Sequence, residues 1–123
     1  MLEDNSEKLT INVSVVDLGK IDYLVEQGFY GNRTDFIRSA IKGQLREHEE
    51  WINKEFISKT MDIGVVRLYC EDLYEKELQD YTVLGKLIID DSVTLNDLTK
   101  VFRRIKVYGK VQCRNEIKEY YKL

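Results

Sequence analysis

Residues 8–15 alternate strictly between polar and apolar side chains, and no other feature constrains the fold as much. A period of two predicts a strand with one buried face and one exposed face. The next strand-like segment begins only at Ile63, so no hairpin partner is near. An unpaired strand with an apolar face invites association. Pairing with the same strand of a second copy would resolve this. The apolar face carries Leu9, Ile11, Val13 and Val15, and the polar face carries Lys8, Thr10, Asn12 and Ser14.

Two helical patterns follow this strand. Residues 16–27 have apolar side chains at helical spacing, and Gly28 and Gly31 then bracket a turn. A second helix begins near residue 32, where either Asn32 or Thr34 can serve as the N-cap. The pattern leaves open whether one or two helices follow, because Gly43 lies inside it. The apolar stripe of this second segment contains Phe36, Ile37, Ala40, Ile41 and Leu45.

The second half of the chain alternates between strand-like and helical segments, which favours parallel β-α units. Strands are predicted at 63–70, 83–89 and 105–113, and helices at 71–79, after a Thr94 cap, and at 115–122. The expected fold class is therefore α+β. The predicted divisions are a tail at 1–6, a first domain at 7–48, a helical linker at 49–60 and a small C-terminal domain of alternating strands and helices at 61–123.

A faint internal repeat runs through the C-terminal half. The segment Val83-Leu-Gly-Lys-Leu87 aligns with Val107-Tyr-Gly-Lys-Val111 at a period of 24, which also aligns Val93 with Ile117. A β-α repeat explains this spacing. Chance similarity between two glycine-containing strands is the alternative, and the sequence does not decide between them.

Charge and composition exclude several classes of protein. The net charge of −3 argues against a protein that coats nucleic acid nonspecifically, but not against a local DNA-binding surface. No apolar run is long enough to span a membrane, and the polar N-terminus is no secretory signal. The two cysteines suit a cytoplasmic protein.

No pattern in the chain is typical of a catalytic or metal site. We find no nucleophile motif, phosphate loop or catalytic histidine, so the chain is not expected to be an enzyme or to need a cofactor. The single histidine, His48, and the two thiols, Cys70 and Cys113, lack metal-ligand spacing. No metal site is predicted.

The segment Gly28-Phe-Tyr-Gly-Asn-Arg-Thr-Asp-Phe-Ile-Arg-Ser-Ala-Ile41 resembles the G-x-x-x-N-R-S-E-x-I-R-x-A-I signature of ribbon-helix-helix DNA-binding proteins, the Arc, MetJ and CopG-like group. Thr34 and Asp35 replace the usual serine and glutamate and keep their chemistry. The resemblance extends over residues 8–45, about a third of the chain, and includes the spacing from strand to signature.

The resemblance implies a homodimer whose two strands form an antiparallel ribbon in the major groove. It implies that Lys8, Thr10 and Asn12 read base edges, and that Asn32, Arg33, Thr34 and Arg38 contact phosphate at the second helix. Simpler interpretations exist. The polar strand face can simply meet water, Asn32 and Thr34 can act only as caps, and the arginines can be solvated surface charges.

The expected function is a sequence-specific transcriptional regulator, and specifically a repressor, that binds double-stranded DNA as a homodimer or a higher oligomer. The C-terminal domain would add an oligomer contact or bind an effector or partner protein. One alternative is an antitoxin or plasmid-partition adaptor that binds a partner protein through the C-terminal region. Another is a small-molecule sensor, in which a metabolite or metal changes operator affinity.

Overall fold

The computed structural model describes residues 5–58 and 60–123, and this part of the chain is α+β. It forms two compact units, one of residues 6–54 and one built from residues 55–123. The helices are α1 (Val15–Glu26), α2 (Arg33–Glu47), α3 (Glu49–Ser58), α4 (Leu95–Val101) and α5 (Asn115–Tyr121). The strands are β1 (Met61–Leu68), β2 (Gln79–Ile89) and β3 (Phe102–Gln112), with a 3-10 turn at Cys70–Leu73. None of the described helices is long and apolar enough to cross a membrane.

Hydrogen bonds at both ends of α1 fix its limits. The Ser14 hydroxyl accepts a hydrogen bond from the Asp17 amide at 3.1 Å, so the helix already includes Val15. The sequence pattern had placed Val15 at the end of the predicted strand, but this residue begins α1. At the other end, the amides of Gly28 and Phe29 donate to the carbonyls of Val25 and Leu24. This is a Schellman motif, and it requires the positive φ of +88° that Gly28 adopts.

Residues 5–14 form neither helix nor strand within the single chain. Leu9 and Ile11 are 78% and 56% exposed, and the whole segment lies at the surface. A strand needs a neighbouring strand to pair with, and the sheet formed by the described residues contains only β1, β2 and β3. The antiparallel ribbon between two copies therefore remains a prediction.

Two helices, α2 and α3, follow the Gly28–Gly31 turn. Helix α2 continues through Gly43 and ends at its C-cap, His48, after which α3 begins at Glu49. Its N-cap is Asn32. No residue of α2 is fully buried in the single chain, because Phe36 and Ile37 are half-buried and the rest of its apolar stripe is exposed.

The sheet of the second unit is parallel, in the order β1-β2-β3, as the alternation of strands and helices predicted. Its core covers one face of the sheet, where the central strand contributes Val83 and Leu87 and the helices contribute Leu98 and Ile117. The Thr94 cap is confirmed, with its hydroxyl accepting from the Asp97 amide at 3.1 Å.

The helix predicted at residues 71–79 is wrong. Only the 3-10 turn at Cys70–Leu73 forms, the following residues are irregular, and β2 already begins at Gln79. Leu73 is buried, but Tyr74 and Leu78 are exposed, so the segment has no apolar stripe that a helix could bury. Glu75 also adopts a positive φ of +57°, which interrupts a helix.

The two repeat segments lie side by side in register. Val83 pairs with Val107, Gly85 with Gly109, and Leu87 with Val111. Val93 and Ile117, which the same period aligns, are both fully buried in the core. The period of 24 thus corresponds to one strand and one helix, which is the β-α repeat.

Candidate nucleic-acid interface

The three residues predicted to read bases lie together in the extended N-terminal segment. Lys8, Thr10 and Asn12 are exposed, and the apolar residues between them are exposed as well. The segment leads directly into the Ser14 cap of α1. The apolar side chains of this segment therefore lie at the surface, where Leu9, Ile11 and Val13 are 78%, 56% and 39% exposed.

Two hydrogen bonds between side chains and backbone amides stabilise the start of α2. The Asn32 side-chain oxygen accepts from the Asp35 amide at 2.8 Å, and the Asp35 carboxylate accepts from the Gly31 amide at 2.9 Å. The amides of Arg33 and Thr34 donate no hydrogen bond within the described residues. They are the unsatisfied donors of a helix N-terminus, where the helix dipole also favours an anion. The Asp35 carboxylate adds a negative charge to the same turn.

Arg33 has a partner that the sequence did not reveal. Its guanidinium donates from Nε and Nη2 to the two carboxylate oxygens of Asp22 on α1, at 2.7 and 2.8 Å. This hydrogen bond lowers the pKa of Asp22 and raises that of Arg33. The two residues are 11 positions apart on different helices, so no local spacing rule could have found the pair.

The other predicted phosphate ligands are exposed on α2. Thr34 and Arg38 are separated by one helical turn, so their side chains lie on the same face of the helix. Arg33, Thr34 and Asn32 occupy consecutive positions at its start. The structure thus brings these four residues to the N-terminal half of one helix, with Arg33 already bound to Asp22.

The helices of residues 6–54 leave much apolar surface uncovered. Ile21 of α1 is the only buried apolar side chain among the described residues of this unit. Tyr30 and Phe36 stack edge to face at 5.0 Å, across the turn between the helices. Ile41 and Leu45 on α2 remain about half exposed, as does Val13 to a smaller extent.

The second unit has no cluster that resembles a reactive or metal site. No group of three or more histidine, cysteine or acidic side chains comes together within the described ranges. A hydrogen bond to Glu71 raises the pKa of Cys70, and burial raises the pKa of Cys113. Neither thiol is therefore activated as a thiolate. A shallow depression of about 320 Å³ lies between the 3-10 turn and α4, lined by Leu73, Tyr74, Lys100 and Val101 among others.

Comparison with known proteins gives a family match that extends over both units. No curated protein and no solved structure matches the chain significantly. The sequence profile of the Ribbon-Helix-Helix transcriptional regulator family matches residues 4–118. This match extends well beyond the N-terminal third that carried the motif, and it includes nearly all of the parallel sheet unit. The chain belongs to the ribbon-helix-helix transcriptional regulator family, whose members bind DNA.

Proposed function

We propose that this protein is a sequence-specific repressor that acts in the cytoplasm as a homodimer, with residues 7–48 as its DNA-binding domain. The observation that carries the proposal is the segment at 8–13, which alternates in sequence yet is exposed on both faces in the single chain. It lies directly before two capped helices, and the second of these exposes Ile41 and Leu45 of its apolar stripe. No enzymatic activity is part of this proposal.

Dimerisation follows from the uncovered apolar surface. Leu9 and Ile11 would pair across the two chains and cover Ile41 and Leu45 on the helices of both. Burying an apolar side chain stabilises an assembly by roughly 1.5–3 kcal/mol. Several such residues in each chain, all exposed in isolation, would make a stable intertwined dimer.

The paired strands would form a two-stranded ribbon, which fits the major groove of DNA. Lys8, Thr10 and Asn12 would then project from its polar face. Lysine donates to guanine, asparagine pairs bidentately with adenine, and threonine bonds to either or contacts a thymine methyl. Each good contact discriminates between bases by roughly 1–3 kcal/mol.

The start of α2 would hold the ribbon in the groove by binding phosphate. The amides of Arg33 and Thr34 are available as donors there. Asp22 engages Nε and Nη2 of Arg33, which leaves Nη1 for a phosphate oxygen. Arg38, one turn further along, would add positive charge. Contacts of this kind position a protein on DNA but do not read its sequence.

The test is selection of bound fragments from random DNA at about 150 mM salt, followed by sequencing. The wild-type protein should enrich one motif. Asn12→Ala should relax the motif at one position in each half-site, because it removes a base contact. Asn53→Ala, an exposed asparagine on α3, is the matched control and should leave the motif unchanged. Absence of any enriched motif, or equal effects of the two variants, would contradict base reading by this segment.

A folded C-terminal unit weighs against the antitoxin alternative. Such antitoxins usually carry a disordered segment that wraps the toxin. Here β1, β2 and β3 form one sheet with a continuous core that includes Leu87 and Leu98. We therefore favour a role for this unit in assembly.

A further inference from the structure

Among the described residues, each outer strand of the parallel sheet pairs with only one neighbouring strand. β1 and β3 are its outer strands, and no other strand in the described ranges lies beside them. Edge strands present backbone groups without sheet partners, and proteins usually shorten, bend or cover such edges. Here β3 is 11 residues long, and neither strand contains a proline that would block pairing. Both edges are therefore able to accept a further strand.

Glycines in one row determine how closely the three strands approach. Gly64 pairs with Gly85 and Gly85 with Gly109, all with φ between +125° and +132°. A Cβ on Gly85 would lie 2.9 Å from the carbonyl carbon of Gly64 and closer still to its oxygen. A Cβ on Gly109 would meet the Gly85 carbonyl in the same way. Gly85 and Gly109 thus each lie directly against the glycine carbonyl of the preceding strand.

Gly64 has the same backbone conformation, but no carbonyl group of the described residues lies against it. Its φ is +127°, and a Cβ placed there would have no neighbour within 4 Å. The space that a carbonyl fills beside Gly85 and Gly109 is open at the β1 edge. At the opposite edge, the carbonyl of Gly109 has no following strand to receive it among the described residues. The β1 edge of one copy is therefore complementary to the β3 edge of another, and neither edge is complementary to a second edge of its own kind.

Side chains on both faces match when Gly64 is placed in register with Gly109. On the face opposite the core, Ile63 and Tyr108 become neighbours, and they are 52% and 57% exposed in the single chain. On the core face, Val66 and Val111 become neighbours, and both are partly buried at the margin of the core. One register therefore covers exposed apolar surface on one face and continues the core on the other.

The helical layer has the same repeating order. Each strand is followed by a helical segment on the core side: the 3-10 turn after β1, α4 after β2 and α5 after β3. Stacked repeats of this kind need polar caps at their ends. The described ends carry apolar residues instead, with Val66 and Val111 only half-covered.

From these edges we infer that the C-terminal unit of one copy stacks head to tail on that of another. The β3 edge pairs in parallel with the β1 edge of the next copy, and Gly109 lies in register with Gly64. Such a contact is heterologous, so each added copy presents a further free edge and the assembly can grow beyond a pair. The inference goes beyond the proposed repressor function and does not depend on DNA binding. Its consequence would be rows of DNA-binding units on adjacent sites.

Two variants of the full-length protein each block one edge. Ile63→Lys places a charge at the β1 edge, and Tyr108→Lys does the same at β3. Both residues are exposed in the single chain, so neither change should unfold the unit. Tyr74→Lys, at an exposed tyrosine outside both edges, is the matched control. Sedimentation velocity without DNA measures the mass over a range of concentrations, and circular dichroism checks the fold.

The wild-type protein and Tyr74→Lys should grow in mass with concentration, and each edge variant should lose that growth. Mixing the two edge variants should give a larger mass than either variant alone, because each supplies the intact edge that the other lacks. Growth in one edge variant alone would indicate pairing of like edges and overturn the inference. A wild-type mass that does not change with concentration, or a mixture that stays small, would overturn it too. Sequence-specific DNA binding by the dilute edge variants would still test the repressor function separately.

Discussion

The guanidinium of Arg33 at the start of α2 forms two hydrogen bonds with the carboxylate of Asp22 on α1, at 2.7 and 2.8 Å. This fork-to-fork arrangement is the geometry that arginine and a carboxylate favour. It links the two helices of the first unit across the Gly28–Gly31 turn. The same arginine is a proposed phosphate ligand. Arg33 can therefore act by joining the two helices or by binding DNA, and mutation can separate these two roles.

Replacement of each partner should affect DNA binding in opposite ways. Arg33→Ala should weaken binding to all sequences and reduce the salt slope by about one, because one phosphate contact is lost. Asp22→Asn keeps the arginine and removes a nearby negative charge, so affinity should be retained or increased. DNA titrations over a range of salt concentrations measure the affinity and the salt slope of both variants. Equal weakening by the two variants would mean that Arg33 acts only by joining the helices.

The contribution of this pair to stability should depend on pH. Arg33 lowers the pKa of Asp22 in the folded state, so the pair stabilises the fold above the ordinary aspartate pKa of about 3.9. That contribution is lost as the pH falls through the lowered pKa. The difference in Tm between wild type and Asp22→Asn should therefore be largest near neutral pH and shrink in acid. A difference that stays constant into strong acid would contradict the pairing.

The cap of α2 should contribute to stability independently of DNA. Asn32→Ala removes the acceptor for the Asp35 amide and should lower the free energy of unfolding by about 1 kcal/mol. Asn32→Asp keeps a good cap but adds a negative charge at the proposed phosphate site. It should preserve Tm and reduce DNA affinity. Denaturant unfolding and DNA titration together test this, and an Asn32→Asp protein that binds DNA as well as wild type would argue against phosphate binding there.

The same glycine-to-alanine change should have opposite effects in the two units. Gly19→Ala, on α1 where a Cβ meets nothing within 4 Å, should stabilise the helix by about 1 kcal/mol. Gly85→Ala should destabilise the sheet unit by at least roughly 1–3 kcal/mol from backbone strain alone. The clash with the Gly64 carbonyl adds to this. Thermal unfolding of both variants is the measurement, and a Gly85→Ala protein as stable as wild type would refute the tight glycine row.

Short-range signals in the sequence were sufficient for some of the local structure. The Thr94 cap and the Gly28 turn depend on residues a few positions apart, so their spacing alone predicts them. The ribbon-helix-helix motif was recognisable for the same reason. For the cap of α2, the sequence offered both Asn32 and Thr34, and the structure shows Asn32. The period of 24 left both a β-α repeat and chance similarity open, and the pairing of Gly85 with Gly109 is the arrangement that a β-α repeat produces.

Only the tertiary structure decided which distant groups meet. It joined Arg33 to Asp22, and it placed Gly64 in the same row as Gly85 although no matching repeat segment marks β1. It also showed that residues 74–78 form no helix, since their exposed side chains have nothing to pack against. The physical reason is common to all three. Strand register, ion pairing between helices and burial depend on contacts between segments far apart in the chain, and local periodicity carries no information about them.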